Sequence, residues 1–222
     1  MIKQLFLKIL RFLIVGFLPY SCVSAQVNVV TQHYDQGRTG WYNQETRLNK
    51  SNVRTGTFGK LFSRNVDDQL YAQPLIVQNV LIPGFGKRNI VYLASVNNTI
   101  YAFDADSANV TAAYWKINLT PASSRPVRQE DLTGACPGNF LSNIGIVGTP
   151  VIDTLSNIIY LVARSINPST RVFSQYLHAL NISTGNEQPN SPVLIQAQVN
   201  GSGNFLPFYK NFQKLYKIVY IY

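Results

Sequence analysis

The feature of this 222-residue sequence that most constrains its fold is an internal repeat, because the pattern of residues 70–115 returns over residues 148–199. The matched positions are Pro74 and Pro150, Tyr92 and Tyr160, and the triplets 102–104 (Ala-Phe-Asp) and 179–181 (Ala-Leu-Asn). Both copies consist of short apolar runs separated by turn residues. Repeats of this kind predict stacked units, each of which buries its faces against its neighbours.

Each copy of the repeat contains four candidate strands rich in Tyr, Val, Ile, Leu and Phe. These are residues 70–77, 89–95, 99–104 and 113–119 in the first copy, and 148–153, 157–164, 175–181 and 193–199 in the second. Residues 58–66 also alternate as a strand would. Four antiparallel strands per unit, repeated radially, form the blades of a β-propeller. The sequence therefore predicts an all-β fold, a partial β-propeller of two four-stranded blades within residues 26–204.

The first 25 residues are predicted to be a secretory signal peptide. Lys3 and Lys8 give it a positive start, Ile9 to Leu18 an apolar core, and Val23-Ser24-Ala25 a cleavage site. The apolar run is too short and too interrupted for a good membrane span, and an uncleaved anchor is the alternative. We expect a secreted protein, periplasmic or extracellular, with no stable membrane span after cleavage.

The last eighteen residues, 205–222, depart from the repeat pattern, since they contain no acidic residue and no glycine but many Tyr, Phe and Lys. A closed propeller would need further blades. One hypothesis is that a frameshift, an intron or a truncated gene replaced the native reading frame near Asn204. The alternative is a genuine outer strand or surface helix. Two blades leave open sheet edges, which favour pairing with another chain that completes the propeller.

The formal net charge of +9 does not indicate a nucleic-acid partner, because of where the basic residues lie. Of the 19 basic residues, three fall in the signal and three in the tail, which leaves 13 against all 10 acidic residues in between. No cluster of Lys and Arg with interleaved aromatic residues occurs there. We therefore expect no binding to nucleic acid.

The motifs that could carry chemistry are better explained by local structure. Cys136 would be the single cysteine after signal cleavage, which excludes an internal disulfide, and no base lies near it in sequence. Asp104-Ala105-Asp106 lacks the glycine and the downstream Glu of a calcium loop, so we interpret it as a hairpin turn. The adjacent acid pairs 67–68 and 130–131 point to opposite sides of an extended chain and do not form an acid/base site.

A family resemblance rests on residues 91–107 (Val-Tyr-Leu-Ala-Ser-Val-Asn-Asn-Thr-Ile-Tyr-Ala-Phe-Asp-Ala-Asp-Ser) followed by Trp115. This stretch resembles the repeat of the pyrroloquinoline-quinone-type (quinoprotein alcohol dehydrogenase-like) β-propellers, and residues 177–185 resemble it without the Trp. Residues 38–40, 58–62 and 71–74 are similar to the start of exported bacterial-type members. The resemblance implies blade-packing roles for one set of side chains, namely Tyr92, Tyr101, Trp115, Tyr160 and His178.

Enzymes of this family hold pyrroloquinoline quinone and a calcium ion in the central channel, so the resemblance implies these cofactors only if the complete protein is an enzyme. No residue of this sequence is predicted to be catalytic, and none is assigned to a metal. We expect an exported binding or scaffold module that is not an enzyme. The alternatives are a fragment of a quinone-dependent alcohol or sugar dehydrogenase and an envelope-protein assembly factor. The candidate contact surface is the long loop Thr120–Asn143, with Arg125, Arg128, Glu130 and Asp131.

Overall fold

A computed structural model of the chain describes residues 28–43, 45–132 and 140–196, and this part of the chain is all-β with antiparallel sheets, as the sequence predicts. Its one helical element is a single 3₁₀ turn, Gln129–Asp131. No helix within the described ranges is long and apolar enough to cross a membrane. The predicted signal peptide, Cys22, Cys136 and the tail 205–222 lie outside the described residues.

The first sheet is a four-stranded antiparallel meander in which strands adjacent in sequence pair with each other. Its strands are β1 (Leu75–Ile82), β2 (Gly86–Ala94), β3 (Thr99–Asp104) and β4 (Trp115–Asn118). Apolar residues alternate along β2, so that Ile90, Tyr92 and Ala94 are buried. This period of two fixes the register, because a slip of one residue would turn these side chains to the opposite face.

The second sheet has five strands and repeats the plan of the first. Its strands are β5 (Arg125–Pro126), β6 (Val151–Asp153), β7 (Ile158–Ile166), β8 (Phe173–Asn181) and β9 (Val193–Leu194). The order is β5-β7-β8-β9, and β6 pairs with the other end of β7. Within it Tyr160 lies between Val151 and Ala179, just as Tyr92 lies between Leu75 and Ala102 in the first sheet.

The core lies between the two sheets, which pack face to face. One cluster of buried apolar side chains contains residues of both, including Leu75 and Ala102 from the first sheet and Ile159, Leu161 and Leu180 from the second. Burial of this apolar surface is the dominant stabilising contribution to the packing. Residues 29 and 30 join the sheets at one side, since residue 29 bridges to β1 and the N–H of residue 152 donates to the carbonyl of residue 30.

Three strand predictions differ from the structure. The second sheet, predicted to have four strands, contains a fifth, Arg125–Pro126, within the predicted loop 120–143, because these residues pair with the end of β7. Residues 58–66 form no strand, because no neighbouring strand within the described ranges accepts their hydrogen bonds, and Leu61 is 89% exposed. The first strand begins at Leu75 and continues to Ile82, beyond the predicted end at Val77. Asn79 is a residue type typical of turns, but here its φ of +54° accompanies a shift in the pairing register between Val77 and Val80. A bulge of this kind lets the strand continue past Asn79.

Candidate functional site

The end of the molecule at which β1, β3, β6 and β8 begin carries the candidate loop, and we call it the loop end. Four segments meet there: residues 67–71, the β2–β3 turn 95–98, the described parts of the loop 120–143, and the β7–β8 connection 167–172. Because loops from both sheets contribute, the loop end is a surface of the whole packed unit and not of one hairpin.

The buried carboxylate of Asp131 holds two of these loops together. The Arg125 guanidinium binds it through two hydrogen bonds, Nη1 to Oδ2 at 2.6 Å and Nη2 to Oδ1 at 2.8 Å. Arg171 adds a third from the β7–β8 connection, Nη1 to Oδ1 at 2.9 Å, and the backbone N–H of Arg128 donates to Oδ2 at 2.9 Å. The Asp131 side chain is 2% exposed. Charge-assisted, bidentate pairing of this kind fixes both position and orientation.

The electrostatics of this group follow from the same contacts. Hydrogen bonds from Arg125 lower the pKa of Asp131 to about 2 from an ordinary value of 3.8, against the opposing effect of burial and with help from Arg128 and Arg171. The hydrogen bond to Asp131 in turn raises the pKa of Arg125. Asp131 is therefore a fully ionised anchor near neutral pH and has no proton to exchange with a ligand.

A prediction for stability against pH follows. Because the pKa of Asp131 is lowered in the folded state, its ionisation contributes about 2 kcal/mol to the free energy of unfolding. This contribution is fully present above about pH 4 and is lost as the pH falls towards 2. Asp131→Asn should be less stable than the wild-type chain by about that amount near neutral pH in urea denaturation. The two proteins should converge at pH 2. Glu130→Gln, with its side chain 69% exposed, is the matched control and should change stability by less than about 0.5 kcal/mol. A difference between wild type and Asp131→Asn that stays constant with pH would contradict this assignment.

A second polar network ties the β2–β3 turn to the segment before β1. Asp67 accepts hydrogen bonds from Ser95 Oγ at 2.6 Å, Thr99 Oγ1 at 2.5 Å and Asn97 Nδ2 at 2.9 Å. Burial would raise the pKa of Asp67, but these bonds together outweigh burial and lower it. Asp68 accepts hydrogen bonds from Ser142 and Asn143 in the long loop. The two neighbouring carboxylates belong to one network, because Asn143 Nδ2 also lies 3.3 Å from Oδ1 of Asn97, the residue that donates to Asp67.

Asn98 connects the two sheets at the loop end. It is fully buried, with a φ of +59°, and its Nδ2 donates to the Arg164 carbonyl at 2.9 Å and to Ser165 Oγ at 3.1 Å, both on β7. Its Oδ1 has no hydrogen-bond partner among the described residues and lies 2.1 Å from the position that a Cβ on residue 145 would take. Sequence reasoning does not identify Asn98. The available signal is an Asn-Asn pair between two strands, which favours the left-handed conformation in tight turns.

Several side chains of the loop end are exposed to solvent and are attached to the hydrogen-bonded loops described above. Arg128 contacts Glu130 at 3.5 Å and Asn143 at 3.3 Å, and half of the Arg128 side chain remains exposed. The ring of Tyr71 packs on Phe140 with centroids 5.0 Å apart. Arg171, Tyr71 and Leu141 are also exposed. Of the four candidate residues, Arg125 and Asp131 are thus structural, whereas Arg128 and Glu130 face solvent.

The side chains with predicted blade-packing roles occupy three different settings. Tyr92 and Trp115 point from the first sheet into the second, where both donate to the carbonyl of Ile182, at 2.9 and 3.0 Å. Tyr101 is buried on the opposite face and its hydroxyl accepts the N–H of Asp67. The two remaining members belong to the second sheet: His178 is buried with Nδ1 3.0 Å from Glu187 Oε2, and Tyr160 is half-buried on the face turned away from the first sheet.

The motif Asp104-Ala105-Asp106 has carboxylates at the spacing of a calcium loop, and both accept hydrogen bonds from neighbouring groups. Within the described ranges no three His, Cys, Asp or Glu side chains are grouped as a metal site would require. Asp104 is engaged, with Oδ1 accepting the N–H groups of Asp106 and Ser107 and Oδ2 the Tyr114 hydroxyl. Asp106 accepts Asn89 Nδ2 at 2.7 Å. The Asp-Ala-Asp motif is a hydrogen-bonded turn, in agreement with the sequence interpretation.

The opposite end of the sheets, which we call the hairpin end, has an open groove of about 940 Å³ between the β1–β2 hairpin and the turns after β6 and β8. Amide and hydroxyl side chains line it together with β1, among them Gln78, Asn157 and Thr184. No ionisable side chain of the described residues borders the groove. Its lining therefore offers hydroxyl groups but no ionisable side chain that could act as a general acid or base towards them.

Comparison of the chain with protein-family models, with curated proteins and with solved structures finds no match.

Proposed function

We propose that this protein is an exported β-propeller-type repeat module that acts by binding a partner through its loop end and is not an enzyme. The repeat supports the propeller arrangement, since the two sheets share the pairing of Tyr92 and of Tyr160 with a preceding and a following strand. The resemblance to exported quinoprotein-like propellers supports export.

The observation that supports a binding role is that hydrogen bonds within the chain already hold the loops of the loop end together. Asp131 fixes the described part of the long loop to the β7–β8 connection, and Asp67 and Asp68 fix the segments beside it. Loops ordered before a partner arrives lose little conformational entropy on binding. Arginine and tyrosine are enriched at the energetic centres of protein interfaces, and Arg128, Arg171 and Tyr71 are exposed on this ordered base. A protein partner with a mixed apolar and charged surface suits it best.

A charge-reversal pair tests the proposal. The full chain is immobilised and exposed to secreted and envelope fractions of its own cells, and retained proteins are quantified for wild type, Glu130→Lys and Lys87→Glu. Glu130 lies at the loop end and Lys87 at the hairpin end, and both are exposed. We expect Glu130→Lys to lower retention of a specific partner about tenfold or more, and Lys87→Glu to leave it unchanged.

Two results would contradict the proposal. One is equal retention by both variants, which would remove the loop end from the interface. The other is quinone-dependent oxidation of an alcohol or a sugar by the full chain, which would favour the dehydrogenase alternative.

A further inference from the structure

The chain before the first sheet contains a long exposed stretch, residues 45–61, which we call the basic segment. Every one of its residues is exposed to solvent. The chain is attached to the rest of the molecule before and after this stretch, since the His33 N–H donates to Gln73 Oε1 and Arg64 binds the Ser107 carbonyl. Between these two attachments, the hydrogen bonds of the basic segment within the described chain are all internal to it.

The basic segment is folded on itself by its own turn residues. Asn52 Oδ1 accepts the N–H of Asn49 at 2.9 Å, and Asn52 Nδ2 donates to the Arg47 carbonyl at 2.6 Å. The hydroxyl of Thr57 donates to the Asn52 carbonyl at 2.7 Å. Side chains of this kind stabilise turns by bonding nearby backbone groups. The segment is therefore a hydrogen-bonded surface loop whose longer side chains are left for other contacts.

Positive charge is concentrated in this loop. It has four basic residues and one acidic residue, whereas residues 67–196 have seven basic and eight acidic residues. The acidic residue, Glu45, interacts electrostatically with Arg47. The charged groups of the other three basic residues make no ion pair or hydrogen bond with the described residues, and they are Lys50, Arg54 and Lys60. The basic segment is therefore the part of the described chain that attracts an anionic surface.

Large apolar side chains are exposed in the same loop. They are Leu48, Val53, Phe58 and Leu61, and they are between 44% and 89% exposed. Exposed apolar side chains gathered in one region indicate an interaction site. An anionic lipid bilayer accommodates both kinds of side chain, because apolar groups enter the boundary between headgroups and acyl chains while basic groups contact the phosphates.

Other anionic partners suit this loop less well. Proteins that bind single-stranded nucleic acid stack the bases on aromatic side chains, but three of the four exposed apolar residues are aliphatic. Protein interfaces are depleted in lysine, and two of the four basic residues are lysines. We propose that the basic segment binds the anionic phospholipid surface of a membrane and attaches the protein to it without spanning the bilayer.

A tryptophan probe in the full chain tests this proposal. Phe58→Trp places the probe in the basic segment, and the control Phe85→Trp places it at the hairpin end, where Phe85 is also exposed. Emission is compared with that of the wild-type chain, which contains Trp41 and Trp115. Vesicles of phosphatidylglycerol and phosphatidylcholine with brominated acyl chains should shift the residue 58 emission to the blue and quench it. The residue 85 emission should not change. Vesicles of phosphatidylcholine alone should bind the segment about tenfold or more less tightly.

Charge reversal in the Phe58→Trp chain tests the electrostatic part of the proposal. Each basic residue near an anionic surface strengthens binding about fivefold, so Arg54→Glu should raise the vesicle concentration that gives half of the emission shift about tenfold or more. Lys87→Glu, an exposed change at the hairpin end, should leave it unchanged. Because the emission reports on residue 58 itself, contacts of other parts of the chain with lipid do not reproduce the result.

Four results would overturn the proposal. They are an unshifted residue 58, equal binding to vesicles with and without phosphatidylglycerol, equal effects of Arg54→Glu and Lys87→Glu, and binding of the soluble polyanion heparin by a chain that does not bind vesicles. The last result would assign the segment to an acidic polymer. This inference concerns a different surface from the loop end, so retention of a partner in the Glu130→Lys experiment does not depend on its outcome.

Discussion

Replacement of Gly145 by alanine is expected to destabilise the protein by about 3 kcal/mol, a large effect for a single methyl group. A Cβ on this residue would lie 2.5 Å from the carbonyl oxygen of Val96 and would overlap Oδ1 of Asn98. Neither atom can move away easily. Val96 is fully buried and its carbonyl accepts the N–H of Gly145 itself, and Asn98 is held by β7.

The control for this variant is three residues away. Gly148 is exposed, has an ordinary φ, and has no atom within 4 Å of the position that an added methyl group would take. We expect Gly148→Ala to change the free energy of unfolding in urea by less than about 0.5 kcal/mol. Equal effects of the two substitutions would show that the turn 95–98 and the segment 144–146 are not in close contact. They would also contradict the role of Asn98 as a connection between the two sheets.

Gly185→Ala is expected to cost about 3 kcal/mol through two separate causes. Gly185 has a φ of +75°, a conformation that strains any side chain. A Cβ there would also meet the indole of Trp115 at 2.7 Å and Ile117 Cδ1 at 2.8 Å, where the two sheets pack. The Trp115 ring cannot yield, since its Nε1 donates to the Ile182 carbonyl at 3.0 Å.

Gly84→Ala separates the two causes, because Gly84 has a φ of +79° but open space around its methyl position. It should cost only the backbone strain, about 1 kcal/mol. Chemical denaturation of both variants measures the difference, which is the steric contribution of Trp115. If Gly84→Ala is as damaging as Gly185→Ala, the contact between Trp115 and residue 185 does not limit the packing of the sheets.

The repeat makes the pairing of strands predictable from sequence. Tyr92 and Tyr160 each align with an apolar residue on the preceding strand and an alanine on the following one. The alternation of buried and partly exposed residues along β2 and β7 favours this register, because a slip of one residue would exchange the two sets. Prediction fails where local chemistry is ambiguous. The run 58–66 alternates as a strand does yet forms none, and Asn79 has the chemistry of a turn residue although it forms a bulge.

The candidate site is predictable in outline only. Arg125, Arg128, Glu130 and Asp131 are candidates because they lie in a long loop, and they do come together at one end of the sheets. Their different roles depend on Arg171, which is 40 residues from Asp131 in sequence. A contact between loops of different hairpins leaves no periodic or spacing signal in the sequence. Burial of Asp131, and with it the distinction between anchor and exposed contact residue, is visible only in the structure.

The most direct test of the central claim, that the loop end is the binding surface, is site-specific photo-crosslinking in the cells that make this protein. A photoreactive residue is introduced at position 130 in one variant and at Phe85, an exposed residue of the hairpin end, in the other. We predict a discrete crosslinked partner from position 130 and none of that mass from position 85. The same adduct from both positions, or discrete adducts from position 85 alone, would contradict the claim.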